Sequence, residues 1–222
     1  MGFKRNIIYS VMRKSREMKL HQLLNYLKPT ETDLFLDVGA SNNTKSPVEN
    51  YIIMRYPFQN NITTLSIYDL PQLNKDYPHI KTVIYDGKIF PFKDNQFDLA
   101  HSNAVIEHVG DWDRQKFFLS EMNRVSRRGL LTTPNKFFPF ELHYKVPFLH
   151  WMDNKKFKRI ADKYIYDMSH FPVSLLRKKD LIRLAEETGL PNYIILNNKF
   201  LGMNMTFSLL WSEKGFDSGR NI

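Results

Sequence analysis

Two hydrophobic spacings alternate along this chain, and the places where one gives way to the other mark its elements. Over 7–28 the apolar residues Ile8, Val11, Met12, Leu20, Leu23, Leu24 and Leu27 fall close to helical spacing. Arg13, Arg16 and Lys19 occupy much of the other face, so the stretch predicts an N-terminal helix covering a sheet, with a membrane-surface helix as the alternative. Short apolar runs predict strands at 34–38, 62–67, 80–85, 97–102 and 130–133, and then at 193–196 and 205–211. Helical patterns lie between them. Ser46-Pro47-Val48-Glu49 reads as a capping box opening a helix at 47–56. Phe118, Met122 and Val125 form one face of a helix at 113–127 with Gly129 as its stop, and a last helix at 178–188 stops at Gly189. Strands alternating with helices predict a doubly wound, mostly parallel α/β sheet. The last two strands have no helix between them, which predicts a C-terminal antiparallel hairpin and sets the chain apart from a dehydrogenase. The expected organisation is one domain over 1–222, with a helical cap at 1–29 and a lid insertion at 136–175.

Composition narrows the classes. At 222 residues, 42% of them hydrophobic, the chain can bury a core of its own and is not a disordered one. No apolar run approaches the length of a membrane span, and the N-terminus lacks the apolar core of a secretory signal. With 0 cysteines, disulfides and thiolate metal sites are excluded, which fits a cytoplasmic protein. The net charge of +9 points to a polyanion, an anionic small substrate or an acidic membrane surface, unless it serves solubility alone. The basic residues are spread along the chain without the aromatic pattern of an RNA-binding module, and no DNA partner is expected.

The first predicted strand ends in Asp37-Val38-Gly39-Ala40-Ser41-Asn42-Asn43, just before the Ser46 helix start. Strand, small-residue loop and helix N-terminus together let backbone N–H groups approach a ligand closely. The stretch resembles the first motif of class I S-adenosylmethionine (SAM) methyltransferases, an acidic residue followed by Gly-x-Gly-x-Gly. Only Gly39 is kept, and Ser41 and Asn43 stand at the later glycine positions. Asn enters left-handed backbone readily and Ser is small, so the loop tolerates the change. Asp98-Leu99-Ala100-His101-Ser102-Asn103-Ala104 leading to Glu107-His108 resembles the fourth-strand motif of a large methyltransferase subgroup. The resemblance covers about 30–211 and implies a Rossmann-like fold with SAM as methyl donor. It implies that Asp37, Gly39, Ala40 and Ser41 hold the methionine end and that Asp86-Gly87 reads the adenine; Ser66 stands where the ribose carboxylate belongs, so Asp69, the nearest carboxylate, is the candidate for the ribose hydroxyls, with a cap on the following turn as its alternative role. Ser102, Asn103 and Ala104 would lie beside the methyl group, with His108 ordering the loop.

The segment from Pro134 to Trp151 carries three prolines and many aromatics around Glu141, His143 and His150. It resembles a block in bacterial methyltransferases of unassigned or cell-envelope glycan context. A neutral hydroxyl keeps its proton at pH 7, so a positioned base would help its methylation. His143, oriented by Glu141, is the first candidate base and His150 the second; loop-ordering roles are the alternative. No metal is expected, although Glu141, His143 and Asp153 could ligate one. The expected activity is O-methylation of a sugar or glycan precursor. The rivals are N- or C-methylation of a small aromatic or lipid-like acceptor, and a non-catalytic basic protein bound to RNA or a membrane.

Overall fold

The computed structural model describes residues 2–140, 148–152, 156, 159 and 173–216. Helix α1, Gly2–Leu27, precedes an alternating series: β1 Phe35–Val38, α2 Tyr51–Arg55, β2 Ile62–Ser66, α3 Pro71–Asp76, β3 Lys81–Ile84, β4 Leu99–Asn103, α4 Trp112–Val125 and β5 Arg128–Pro134. Helix α5, Lys178–Glu187, and strands β6, Tyr193–Phe200, and β7, Met203–Ser212, complete it. The seven strands form one sheet in the order β3-β2-β1-β4-β5-β7-β6. Strands β1 to β5 are parallel, while β7 runs antiparallel to both β5 and β6. The doubly wound sheet with its C-terminal hairpin is the one that the alternation predicts. Leu201 and Gly202 turn the hairpin with φ of 48° and 80°, as a two-residue primed turn requires.

Period-two alternation distributes each strand between two cores. Leu36, Ala100, Leu131 and Leu209 face α4 and α5, where Phe118, Met122, Leu181 and Leu184 meet them. Phe35, Leu99, Leu130 and Leu210 face α1 and α2, against Leu23, Leu27, Ile52 and Ile53. By the same alternation Asp37, His101, Asn103 and Thr132 point to the α1–α2 side, nearer the carboxyl ends of their strands.

Three local expectations change. The helix after β1 begins at Tyr51 rather than 47, because Asn50 adopts left-handed backbone at φ 53°. Ser46 Oγ does accept from Val48 N and Glu49 N, at 3.4 and 3.2 Å, but it caps only a turn. Gly129 does not end α4, which stops at Val125; it lies in β5, where a Cβ would come 2.2 Å from the indole of the buried Trp211. The basic face of α1 is not all solvated. Arg13 is exposed, Arg16 is half-buried, and Lys19 is buried beside Leu20 and Leu23. Helix α3, opened by Pro71, adds a short crossover that the apolar pattern does not reveal.

Candidate active site

The sheet order reverses between β1 and β4, and doubly wound sheets bind ligands outside the carboxyl ends of strands at such a point. A cleft opens there, lined by Arg16, Asp37, Gly39, Ser41, His101 and Asn103 among others. Gly39 stands at φ +92°, and its N–H donates to Leu65 O at 2.9 Å. A Cβ at Gly39 would fall 2.3 Å from Val105 Cγ2, so the absent side chain lets the β4 loop close over the turn. Ala40 and Ser41 line the cleft beside it.

Where later glycines are missing, side chains hold the loop. Asn50 Oδ1 accepts from Ser41 N at 2.8 Å and Asn50 Nδ2 donates to Ser41 O at 2.7 Å. Ser41 Oγ donates to Glu49, whose other oxygen accepts from Asn43 Nδ2 at 3.1 Å. Asn42 Oδ1 caps α3 by accepting from Gln72 N at 2.7 Å. The turn is therefore pinned by residues of the α2 entrance and not by free backbone N–H groups.

Asp37 and His101, register partners on adjacent strands, pair through Oδ1 and Nδ1 at 2.5 Å. Both are buried, and His101 Nε2 has no hydrogen-bond partner among the described residues. One strand step on, Asn103 Oδ1 accepts from three donors: Arg16 Nη1 at 2.5 Å, Thr132 Oγ1 at 2.7 Å and Lys19 Nζ at 3.2 Å. Three donors fix the amide with its oxygen toward α1 and leave the NH₂ as the end able to donate to a ligand. Burial depresses the pKa of Lys19 well below its ordinary value, and the Arg16 guanidinium depresses it further. Burial likewise lowers that of Arg16, opposed by Glu107 and Glu49. Glu107 is fully buried and accepts from Thr133 Oγ1 at 3.3 Å.

The other anticipated residues are placed as follows. Ser102 is buried and donates to Val38 O at 3.1 Å, tying β4 to β1. Ala104 adopts φ 55° and donates its N–H to Thr132 O at 2.9 Å. Asp69 is exposed and its Oδ1 accepts from Leu70 N at 2.8 Å, the bond of a local turn. Asp86 is exposed, accepting from Lys88 N at 3.0 Å, and Gly87 follows at φ +78°. A Cβ on Gly87 would sit 3.6 Å from Ile67 Cγ2, and Ile67 is itself 52% exposed. The ends of β2 and β3 thus present an apolar ledge beside a carboxylate, which suits a flat heterocycle. His150 is buried, with Nε2 2.9 Å from Phe138 O. Glu141 and His143 lie outside the described residues, as does Asp153.

Sequence reasoning did not single out Lys19, His101, Glu49 or Asn50. For two of them a signal existed. Lys19 stands four residues before Leu23 and eight before Leu27, on the stripe that must face the sheet. His101 is two residues before Asn103 and so shares its face.

The Methyltransferase domain family model matches residues 58–131, from the turn before β2 into β5. No curated protein matches the chain. Among solved structures, phosphoethanolamine N-methyltransferase 2 of Haemonchus contortus, in complex with phosphomonomethylethanolamine and S-adenosylhomocysteine, has a TM-score of 0.54 at 17% identity. The alignment covers 82% of this chain but 39% of that one, so this chain spans well under half of that protein's length. The methyltransferase domain of bacterial CtHen1-CN has a TM-score of 0.59 at 14% identity, over 90% of this chain and 99% of its own. Geranyl diphosphate C-methyltransferase from Streptomyces coelicolor has a TM-score of 0.54 at 12% identity, over 88% of this chain and 78% of its own. At such identities the likeness establishes the fold. With the matched domain it supports a class I SAM-dependent methyltransferase. Among the described residues no helix is long and apolar enough to cross a membrane.

Proposed function

We propose that this protein transfers the methyl group of S-adenosyl-L-methionine to a small-molecule acceptor, with an oxygen of a sugar or glycan precursor as the first reading. The observation that carries the enzyme class is the cleft at the β1–β4 reversal, inside a chain whose middle matches a methyltransferase domain. The donor set suits the cofactor. Asp37, Asn103 and Ser41 line the cleft with polar groups that suit the amino-acid moiety, and Ile67, Gly87 and Asp86, past the ends of β2 and β3, are the residues proposed for the adenine. When bound, SAM supplies an electrophilic methyl group. The chain's own residues then orient the acceptor in line and exclude water, which favours transfer through proximity.

O-methylation needs a group to take the hydroxyl proton, and His143 oriented by Glu141 is the residue proposed for it. A second reading, N- or C-methylation, draws support from His150. Its Nε2 is engaged by the Phe138 carbonyl, so the described part of the lid directs its imidazole to loop order. Two of the structural neighbours, by their names, methylate nitrogen and carbon. Calorimetry with S-adenosylhomocysteine tests the enzyme class: folded protein that gives no heat of binding refutes it. A labelled-methyl screen across sugar nucleotides, glycans, amines and prenyl acceptors then separates the two readings.

A further inference from the structure

Beyond β5, at the carboxyl end of the sheet, exposed apolar side chains from three segments meet. Asn135, which follows β5, donates its N–H to Met205 O at 3.0 Å and its Nδ2 to Asn204 O at 2.8 Å, so the β6–β7 hairpin tip stands beside it. Lys136 N donates to Leu176 O at 3.0 Å and brings in the entrance of α5. The rings of Phe137 and Phe148 meet Trp151 edge to face, with centroids 6.3 and 4.9 Å away. These three aromatics are exposed, as are Leu201 and Met203 on the hairpin. Two of the five stand on backbone that does not favour them. Leu201, 81% exposed, occupies the first position of the primed turn at φ 48°, where Asn or Gly is the ordinary choice. Phe148 stands at φ 61°. A bulky apolar chain facing water from left-handed backbone serves neither the turn nor the core. The rim around these groups is basic. Across 134–140, 148–152, 176–180 and 197–205 the only acidic residue is Asp180, against Lys136, Arg177, Lys178, Lys179 and Lys199. Arg177 engages Asp180 through two bonds of 2.7 Å, while Lys178, Lys179 and Lys199 are exposed.

We infer that this face docks on a membrane surface rich in anionic lipid and, resting on the methyltransferase reading above, that the acceptor is drawn from that surface. Aromatic rings lodge at the headgroup boundary, aliphatic chains such as Leu201 and Met203 enter the acyl region, and lysines around them reach lipid phosphates. A second copy of the chain fits less well. An isologous contact would set the basic rim against itself, and lysine is depleted in protein interfaces. A nucleic-acid strand would use the rings and the cations but has nothing to stack on Leu201 or Met203. The cleft opens at the carboxyl ends of β1 and β4, and β4 adjoins β5, so a docked molecule presents that end of its sheet to the lipid.

The probes are vesicles of phosphatidylcholine alone and of an equal mixture with phosphatidylglycerol, read by co-sedimentation. Wild type should pellet with the mixed vesicles, much less with phosphatidylcholine, and be released at about 0.5 M sodium chloride. Leu201→Asn is the informative variant, because Asn-Gly suits the primed turn better than Leu-Gly. It should melt at or above wild type yet bind the mixed vesicles about tenfold more weakly, since it withdraws an inserted apolar chain. The double variant Lys178→Glu/Lys179→Glu should lose about tenfold or more through the lipid charge. Brominated lipid should quench wild-type indole fluorescence, and the quenching should vanish in Trp151→Phe. Wild type that stays in the supernatant with mixed vesicles overturns the inference, as does undiminished vesicle binding by Leu201→Asn. Self-association of wild type that Leu201→Asn abolishes, without vesicle binding, assigns the face to a second copy and also overturns it. Binding of polyuridylate that Leu201→Asn abolishes, again without vesicle binding, assigns it to RNA with the same result. Calorimetry with S-adenosylhomocysteine keeps the two readings apart. If wild type binds vesicles as described but not S-adenosylhomocysteine, the methyltransferase reading fails and the docking face stands; the reverse result keeps that reading and overturns the face.

Discussion

Replacing Gly39 by alanine tests whether the turn after β1 is chosen for backbone freedom, for close packing, or for both. At φ +92° an L-residue pays for left-handed backbone, about 1–3 kcal/mol. The added Cβ would also stand 2.3 Å from Val105 Cγ2, a distance that real contacts do not reach. Val105 packs against the core that α4 and α5 cover, so it cannot swing away without cost. Overpacking of this kind costs about 1–3 kcal/mol. Together these bring Gly39→Ala to about 2–6 kcal/mol, a large share of the 5–15 kcal/mol that holds a domain together. Gly39→Val is worse still, so it is not a clean probe of cofactor binding in a folded protein. The informative comparison is Gly39→Ala with and without Val105→Ala. The second substitution removes the clashing methyl groups and leaves the φ strain, so the double variant should recover part, not all, of the lost stability. Urea melts give the four free energies of the cycle, and a coupling of about 1 kcal/mol or more is expected from residues in contact. Additive effects would refute the packing argument. Wild-type stability in Gly39→Ala would refute both.

Other perturbations separate the parts of the cleft. Asn50→Gly keeps the φ of 53° available but removes both bonds to Ser41; S-adenosylhomocysteine affinity should fall about tenfold or more, and calorimetry showing no change would mean that the loop holds without them. Asp86→Ala should weaken the same binding by about 1–3 kcal/mol if its carboxylate takes the adenine amino group, and unchanged affinity would remove it from the site. Lys19 predicts a pH dependence. Burial and Arg16 hold its pKa well below the 10.5 of the unfolded chain, so between those values the unfolded chain binds more protons and stability rises with pH. The stability gap between Lys19→Met and wild type should therefore narrow as pH climbs toward 10.5, and parallel urea-melt profiles would contradict it.

The sheet was legible because it rests on period. Runs such as Phe35-Leu36 and Leu130-Leu131 give alternate residues to the two cores, and any pairing but the observed one would expose a face. Boundaries were less legible where one side chain overrides a local rule. Ser46-Pro47-Val48-Glu49 has the composition of a helix start, yet Glu49 turns to Ser41 and Asn43 and leaves Ser46 capping only a turn. Gly129 looks like a helix stop and is instead the hollow into which Trp211 fits, a contact across more than eighty residues that no local pattern encodes. Lys19 was misread for a different reason. A lysine is assigned to solvent by default because burial is expensive, so a site that accepts the expense departs from the pattern.

That departure and the degenerate glycine motif have a common physical origin. In a glycine-rich turn the backbone N–H groups themselves face the ligand, and small residues keep the approach open. Here the Ser41 N–H is consumed by Asn50, and the helix that follows begins too late and is too short to present a ring of free donors. The negative groups that a cleft at a strand-order reversal attracts must then be met by side chains. Those chains come from α1, as Arg16 and Lys19, both donating to the neutral oxygen of Asn103, one strand step from the Asp37–His101 pair. Positive potential has moved from a backbone turn to a helix that caps the sheet. A backbone donor is deleted only by proline, which also constrains φ, whereas Arg16 and Lys19 can each be replaced without touching the backbone, which makes the electrostatics of this cleft unusually open to measurement.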